Sequence, residues 1–151
     1  MPAGLLNGLR VLDLGSGISA PWCAKILADY GAEVIKVEPP RTGDASRRMG
    51  PFAGDDPDRE KSLTFLYLNT NKKGVTLDSS SVSGRKLFNR LVADADVLIE
   101  NFPPAQSKEL GLDYETLAEV NPGLVVLVMR NGGAAEKVFN RSHRSIAGSE
   151  V

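Results

Sequence analysis

GLRVLDLGSGISAPWCAKILADYGAEVIKVE, residues 8–38, is the stretch whose reading decides the fold. Leu9 to Leu14 is a short, mainly apolar run without a breaker, as a buried parallel strand should be. Gly15-Ser16-Gly17 then turns the chain. Pro21 suits the first turn of a helix, where a missing N–H costs nothing. Trp22, Ala24, Ile26, Leu27 and Ala28 supply an apolar helical face, and Gly31 is a natural stop. Val34, Ile35 and Val37 make a second buried strand that ends in Glu38. A strand, a helix and a strand in about 30 residues form a right-handed crossover unit. Its first loop leaves the C-terminal edge of the sheet beside a helix N-terminus. Open α/β sheets bind anionic or nucleotide-like ligands at that place.

Outward from this unit, composition bounds the rest. The chain has 151 residues, enough for one domain with a real core. Its formal net charge is −1, which gives no sign of a nucleic-acid or membrane-surface binder. Cys23 is the only cysteine, so no intrachain disulfide forms and a reducing cytoplasm is the expected location. The opening residues carry no secretory signal pattern, and the longest apolar run, Leu124 to Met129, is far too short for a bilayer.

Pro39 to Ser62 is rich in Pro, Gly and charge and predicts a long surface loop. Leu63 to Leu68 is apolar and aromatic, suited to a short helix or a packed turn. Val75 to Leu77 reads as a third strand. A helix over Gly84 to Ala95 follows, with Leu87, Phe88, Leu91 and Val92 inward. Asp96 to Ile99 is a fourth strand, Pro104 to Leu110 a short helix, and Tyr114 to Val120 a helix capped by Asp113. Gly123 to Met129 is a fifth strand. Arg130 to Val151 has only a weak helical pattern, around Ala134 to Phe139, and predicts a mobile or poorly packed tail. The expectation is therefore an α/β, Rossmann-like, three-layer domain with a mostly parallel sheet of about five strands over residues 1–129, and a divergent, disordered tail over 130–151.

The turn motif admits two readings. Val11 to Gly17 closely resembles the first motif of S-adenosylmethionine methyltransferases, and Glu38 stands where an acidic residue would hold a ribose. Against that, Ser19 occupies a position where a further glycine would let the backbone approach the ligand. The bland alternative is that the glycines merely permit a tight turn.

Five blocks in order decide for another reading. They are Gly8 to Leu14 with Ala20-Pro21 and Leu27 to Glu38; Gly43 to Arg47; Asn69 to Asp78; Ala95 to Pro104; and Leu110 to Leu117 with Asn121-Pro122. Together they resemble family III CoA transferases, the CaiB/BaiF family that includes formyl-CoA transferase and alpha-methylacyl-CoA racemase. The resemblance runs from residue 8 to about 129. It implies a CoA-binding domain in which Ser16, Ile18 and Ser19 touch CoA after strand one. Leu77 would do so after strand three, and Asn101 and Phe102 after strand four. CoA carries phosphates, so Arg41, Arg47, Lys72, Lys73 and Lys108 are candidate cations on its path. The implied substrates are an acyl-CoA and a carboxylic acid, with no metal.

The chain also departs from the family. Ser80 stands where a lysine is common, Glu109 where an arginine is common, and Ser16 where a larger residue is common, which should weaken phosphate binding. After Met129 the resemblance ends at Arg130-Asn131-Gly132-Gly133, before the family's segment with the catalytic aspartate. Asp13, Asp29, Asp44, Asp78, Asp96 and Asp113 match non-catalytic positions, so no catalytic residue is assigned. The implied chain is the N-terminal portion of such an enzyme, truncated relative to the family. It is expected to act as a homodimer or with a chain that supplies the missing C-terminal part. A stand-alone CoA or nucleotide-binding module is the second reading, a methyltransferase the third. Cys23 reads as a core thiol. His143 has no partner to make a metal site. Asp55, Asp56, Asp58 and Glu60 read as a solvated loop.

Overall fold

The computed structural model describes residues 4–129 and 135–139. Five parallel strands, β1 (Arg10–Asp13), β2 (Glu33–Glu38), β3 (Lys73–Thr76), β4 (Val97–Glu100) and β5 (Val125–Met129), lie in the order β3-β2-β1-β4-β5. The chain winds outward from β1 in both directions, so the loops after β1 and β4 diverge at the centre of the sheet. That order is the one seen in doubly wound dinucleotide-binding sheets. β6 (Ala135–Phe139) adds to the β5 edge in antiparallel sense, Val126 opposite Phe139. The sequence there suggested at most a weak helix. As a strand it pairs with the backbone edge that β5 otherwise leaves open.

Helices cover both faces. α1 (Ser19–Asp29) packs on one, burying Ala20, Ala24 and Ala28 against Val11, Val34 and Ile99. α3 (Val82–Ala93) and α5 (Tyr114–Val120) pack on the other, where Phe88, Val92 and Leu117 meet Leu12, Leu98 and Val126. α2 (Leu63–Leu68) and α4 (Pro104–Glu109) are single-turn pieces in the connections. Among the described residues no helix is long and apolar enough to cross a membrane.

Caps set the helix starts. Ser81 Oγ accepts from Gly84 N at 3.1 Å, so α3 begins two residues before the predicted start, and Asp113 Oδ1 accepts from Thr116 N at 3.1 Å to open α5. Three apolar expectations differ. Trp22 (42% exposed), Ile26 (41%) and Leu87 (49%) face outward. The small residues of α1 let it approach the sheet closely, which leaves its large residues on the far side. Val75 is also exposed, because β3 is the end strand of the sheet and all four of its residues face solvent.

Leu98 is fully buried between Leu12 and Val126 on the central strand. Leu98→Ala is expected to lower unfolding free energy by about 2–5 kcal/mol in urea titration. A loss below about 1 kcal/mol would contradict this packing.

Candidate functional site: a closed turn above a buried ion network

The turn after β1 differs from the phosphate cradle that its glycines suggest. In such cradles, backbone N–H groups point at the ligand. Here three successive N–H groups are taken by side chains of the same chain. Gly15 N donates to Asp13 Oδ1 at 3.0 Å, Ser16 N to Asn101 Oδ1 at 2.8 Å, and Gly17 N to Asp44 Oδ1 at 3.0 Å. Asn101 closes the pair by donating Nδ2 to Ser16 O at 2.7 Å. Gly15 has its own steric reason, since a Cβ there would stand 2.2 Å from Ala20 Cβ. Gly17 adopts φ +81°, a left-handed conformation that glycine takes without strain.

Beneath the turn lies a network of buried charge. Lys36, on β2, is 2% exposed and pairs with Asp44 Oδ2 at 2.7 Å and Asp13 Oδ1 at 3.6 Å, while donating to Gly15 O. Lys72 Nζ reaches Asp13 Oδ2 at 2.7 Å, Pro21 O at 2.8 Å and Asn69 Oδ1 at 3.0 Å. Burial pushes the Lys72 ammonium down from its ordinary value, and the Asp13 carboxylate opposes that. Burial alone would raise the Asp44 carboxyl. The Lys36 charge and the Ser46 donors outweigh it, so Asp44 sits below the ordinary carboxylate value.

The loop from Pro39 to Ser62 is pinned to this floor rather than left free in solvent. Asp44 Oδ1 also accepts from Ser46 N and Ser46 Oγ, both at 2.7 Å. Ser16 Oγ accepts from Ala45 N at 3.0 Å. Arg47 spans Glu38 (Nε–Oε2 2.7 Å) and Glu60 (Nη1–Oε1 2.9 Å) and stacks 3.6 Å from the Phe65 ring centroid. The hydrogen bond to Glu38 holds the Arg47 guanidinium above its ordinary value. Burial by itself would raise Glu38, but Arg47 and the Asp44 N–H hold it low.

Above the network a cleft of about 300 Å³ opens at the C-terminal ends of β1, β2 and β4. Leu14, Val37, Leu77, Phe102 and Leu112 give it apolar walls; Ser16, Gln106, Glu38 and Asp44 are polar lining groups. Of the residues expected at the ligand, Ser16, Leu77 and Phe102 meet in this cleft, and Asn101 braces it from β4. Ile18 and Ser19 stand at the start of α1; Ile18 is 58% exposed and joins Trp22 and Tyr67 in a separate apolar groove.

The candidate cations mostly lie elsewhere. The Lys72 ammonium is beneath the turn, paired to Asp13. Lys73 reaches back to Glu33 at the start of β2, 2.5 Å away, toward the opposite edge of the sheet. Arg41 lines a small neighbouring cavity with Arg59 and Thr76. Lys108 is exposed on α4. Arg47 is committed to two glutamates, so Glu60 is an ion-pair partner rather than a merely solvated loop residue. Sequence reasoning assigned no role to Lys36 or Asp44. A lysine between Ile35 and Val37 in an otherwise apolar strand was the one signal pointing to a buried partner.

Known proteins share this sequence pattern and fold. The family profile of CoA-transferase family III matches residues 6–143. Succinyl-CoA–D-citramalate CoA-transferase of Chloroflexus aurantiacus is 41% identical over 126 residues, covering 83% of this chain and 30% of that protein. The beta subunit of succinyl-CoA–L-malate CoA-transferase from the same organism is 43% identical over 123 residues, 81% of this chain and 29% of that protein. Among solved structures, a CaiB/BaiF family protein from Brucella suis superposes with a TM-score of 0.73 at 39% identity, over 83% of this chain and 33% of that one. The chain thus spans about a third or less of the length of these relatives.

Proposed function

Since the chain belongs to CoA-transferase family III, corresponding to the N-terminal part of its members, we propose that this domain binds CoA at the cleft above the β1 turn. The observation that carries the reading is the convergence of Ser16, Leu77 and Phe102 on one cleft from three separate loops, braced by Asn101. Its walls are largely apolar and its carboxylates are neutralised by partners, so it suits an uncharged part of CoA. At about 300 Å³ it holds only part of a molecule of that size. The phosphates then lie outside it, toward the neighbouring cavity that Arg41 and Arg59 line.

The activity we assign to the whole protein is CoA transfer between an acyl-CoA and a carboxylic acid. Similar relatives include enzymes named for that chemistry, one of them a named subunit. Association with a second chain, of the same or another kind, is part of the proposal. So is a cytoplasmic location.

The methyltransferase reading is set aside. The relatives are CoA transferases, the turn's N–H groups are occupied, and Glu38 is held by Arg47 and the Asp44 N–H instead of standing free for a ribose. Thermal melting tests the choice, because a ligand of the native state raises the midpoint. CoA is expected to raise it and S-adenosylmethionine to leave it unchanged. A rise with S-adenosylmethionine alone would overturn the assignment.

A further inference from the structure

We propose that the Asp44 carboxylate is a built-in anion. It fills the anion subsite that the β1 turn would otherwise offer to a phosphate, and so positions the turn for its ligand. Four donors converge on it: Gly17 N at 3.0 Å, Ser46 N at 2.7 Å, Ser46 Oγ at 2.7 Å, and the Lys36 ammonium at 2.7 Å from Oδ2. Two backbone N–H groups, a hydroxyl and a lysine are the donor types with which proteins hold phosphate and carboxylate ions. The site is almost wholly buried at the floor of the cleft, with Asp44 2% and Lys36 2% exposed.

Two consequences follow from that placement. A free diphosphate cannot sit on Gly15–Gly17 as it does on a dinucleotide-binding turn, because every N–H there already has an acceptor. Asp44 therefore acts as a specificity element against ligands that need this cradle. It is also a positioning residue. It ties the loop after β2 to the turn after β1, while its neighbour Ala45 N donates to Ser16 Oγ at the cleft wall. The effect on CoA rests on the proposed function; the effect on simple anions does not.

Removing the carboxylate without removing its donors is the test. Asp44→Ala leaves a cavity lined by Lys36, Gly17 N–H and Ser46. The variant is expected to melt below the parent, and formate or inorganic phosphate is expected to raise its midpoint in a concentration-dependent way that the parent does not show. Formate supplies the missing carboxylate without its tether. It is therefore also expected to restore CoA binding, measured by calorimetry, to within a few-fold of the parent. Asp44→Asn fills the same space with an amide and is expected to be destabilised but not rescued. The double variant Lys36→Met, Asp44→Ala lacks the charged donor and is expected to gain nothing from either anion.

An Asp44→Ala chain that ignores both anions, whether folded or unfolded, overturns the inference. So does equal rescue of Asp44→Asn, which would mark a general salt effect. If the parent itself fails to bind CoA while Asp44→Ala still responds to anions, the built-in anion stands and the assignment of the cleft to CoA falls.

Discussion

Asp13→Ala is expected to lower the unfolding free energy by about 3–5 kcal/mol, among the largest losses of any single side chain in this domain. Asp13 is wholly buried at the end of β1. One oxygen faces Lys36 at 3.6 Å and accepts from Gly15 N; the other accepts from Lys72 at 2.7 Å. Without it, two buried ammonium groups lose a shared counter-charge, and Asp44 remains to neutralise only one of them. Taking away one partner of a buried pair costs more than the pair contributes, because the remaining charge is left desolvated. A pH signature separates this from loss of packing. Burial already holds the Lys72 ammonium below its ordinary value, and removing Asp13 lowers it further. Between that depressed value and the unfolded lysine value of about 10.4, the unfolded chain binds more protons than the folded one. Stability of the variant therefore rises with pH across that window, relative to the parent. Urea titrations at several pH values read both effects. A variant that loses less than about 1 kcal/mol, with no recovery at high pH, would show the network to be unimportant.

The same network explains what could and could not be read in the sequence. The strand–helix–strand unit was legible because the apolar runs around Val11 and Val34 lie on inner strands with helices on both sides. Short helices were legible from their caps, as at Asp113. The face of α1 was legible only in part: Ala24 and Ala28 are buried as expected, but apolarity alone also favours Trp22 and Ile26, whereas close approach to the sheet favours alanine. Edge position is also invisible in the sequence: nothing in Val75 to Leu77 marks β3 as the exposed end strand.

For the site, the loops that bring Ser16, Leu77 and Phe102 together follow from a parallel sheet whose connections leave one edge. The charges did not follow. Lys72 and Arg47 look like free cations in a linear chain, and only three-dimensional pairing shows that Asp13, Glu38 and Glu60 consume them. Likewise, Gly15-Ser16-Gly17 spells a phosphate turn until its acceptors are seen. Lys36 and Asp44 lie eight residues apart across a turn, so no periodicity links them.

The 151-residue chain alone is expected to show no CoA transfer between acids and no exchange of an acyl-CoA α-proton. Transfer through a covalent acyl-enzyme requires a carboxylate free to attack the thioester carbonyl, with donors aimed at the developing oxyanion. Among the described residues, four buried carboxylates lie under or beside the cleft, and each is held. Asp13 sits between Lys36 and Lys72, and Asp44 is paired with Lys36 and accepts from Gly17 and Ser46. Glu38 is clamped by Arg47 and the Asp44 N–H, while Glu100, 1% exposed, accepts from Phe102 N at 2.5 Å and Ser107 Oγ at 3.2 Å. Acylating any of them would convert a paired anion into a neutral anhydride and leave its buried donors facing a weaker, uncharged acceptor, a loss of about 1–3 kcal/mol for each charge-assisted bond. The turn's own N–H groups are spent on Asp13, Asn101 and Asp44, so they form no oxyanion hole. Incubation with radiolabelled acyl-CoA followed by hydroxylamine, which traps an enzyme-bound acyl group as its hydroxamate, is the measurement. The expected yield is at background. A stoichiometric hydroxamate that disappears on changing one Asp or Glu of this chain would mean that a carboxylate described here as held is free to react. The first to examine would then be Glu38, whose clamp, Arg47, is shared with the exposed Glu60 and is the easiest of the four to open.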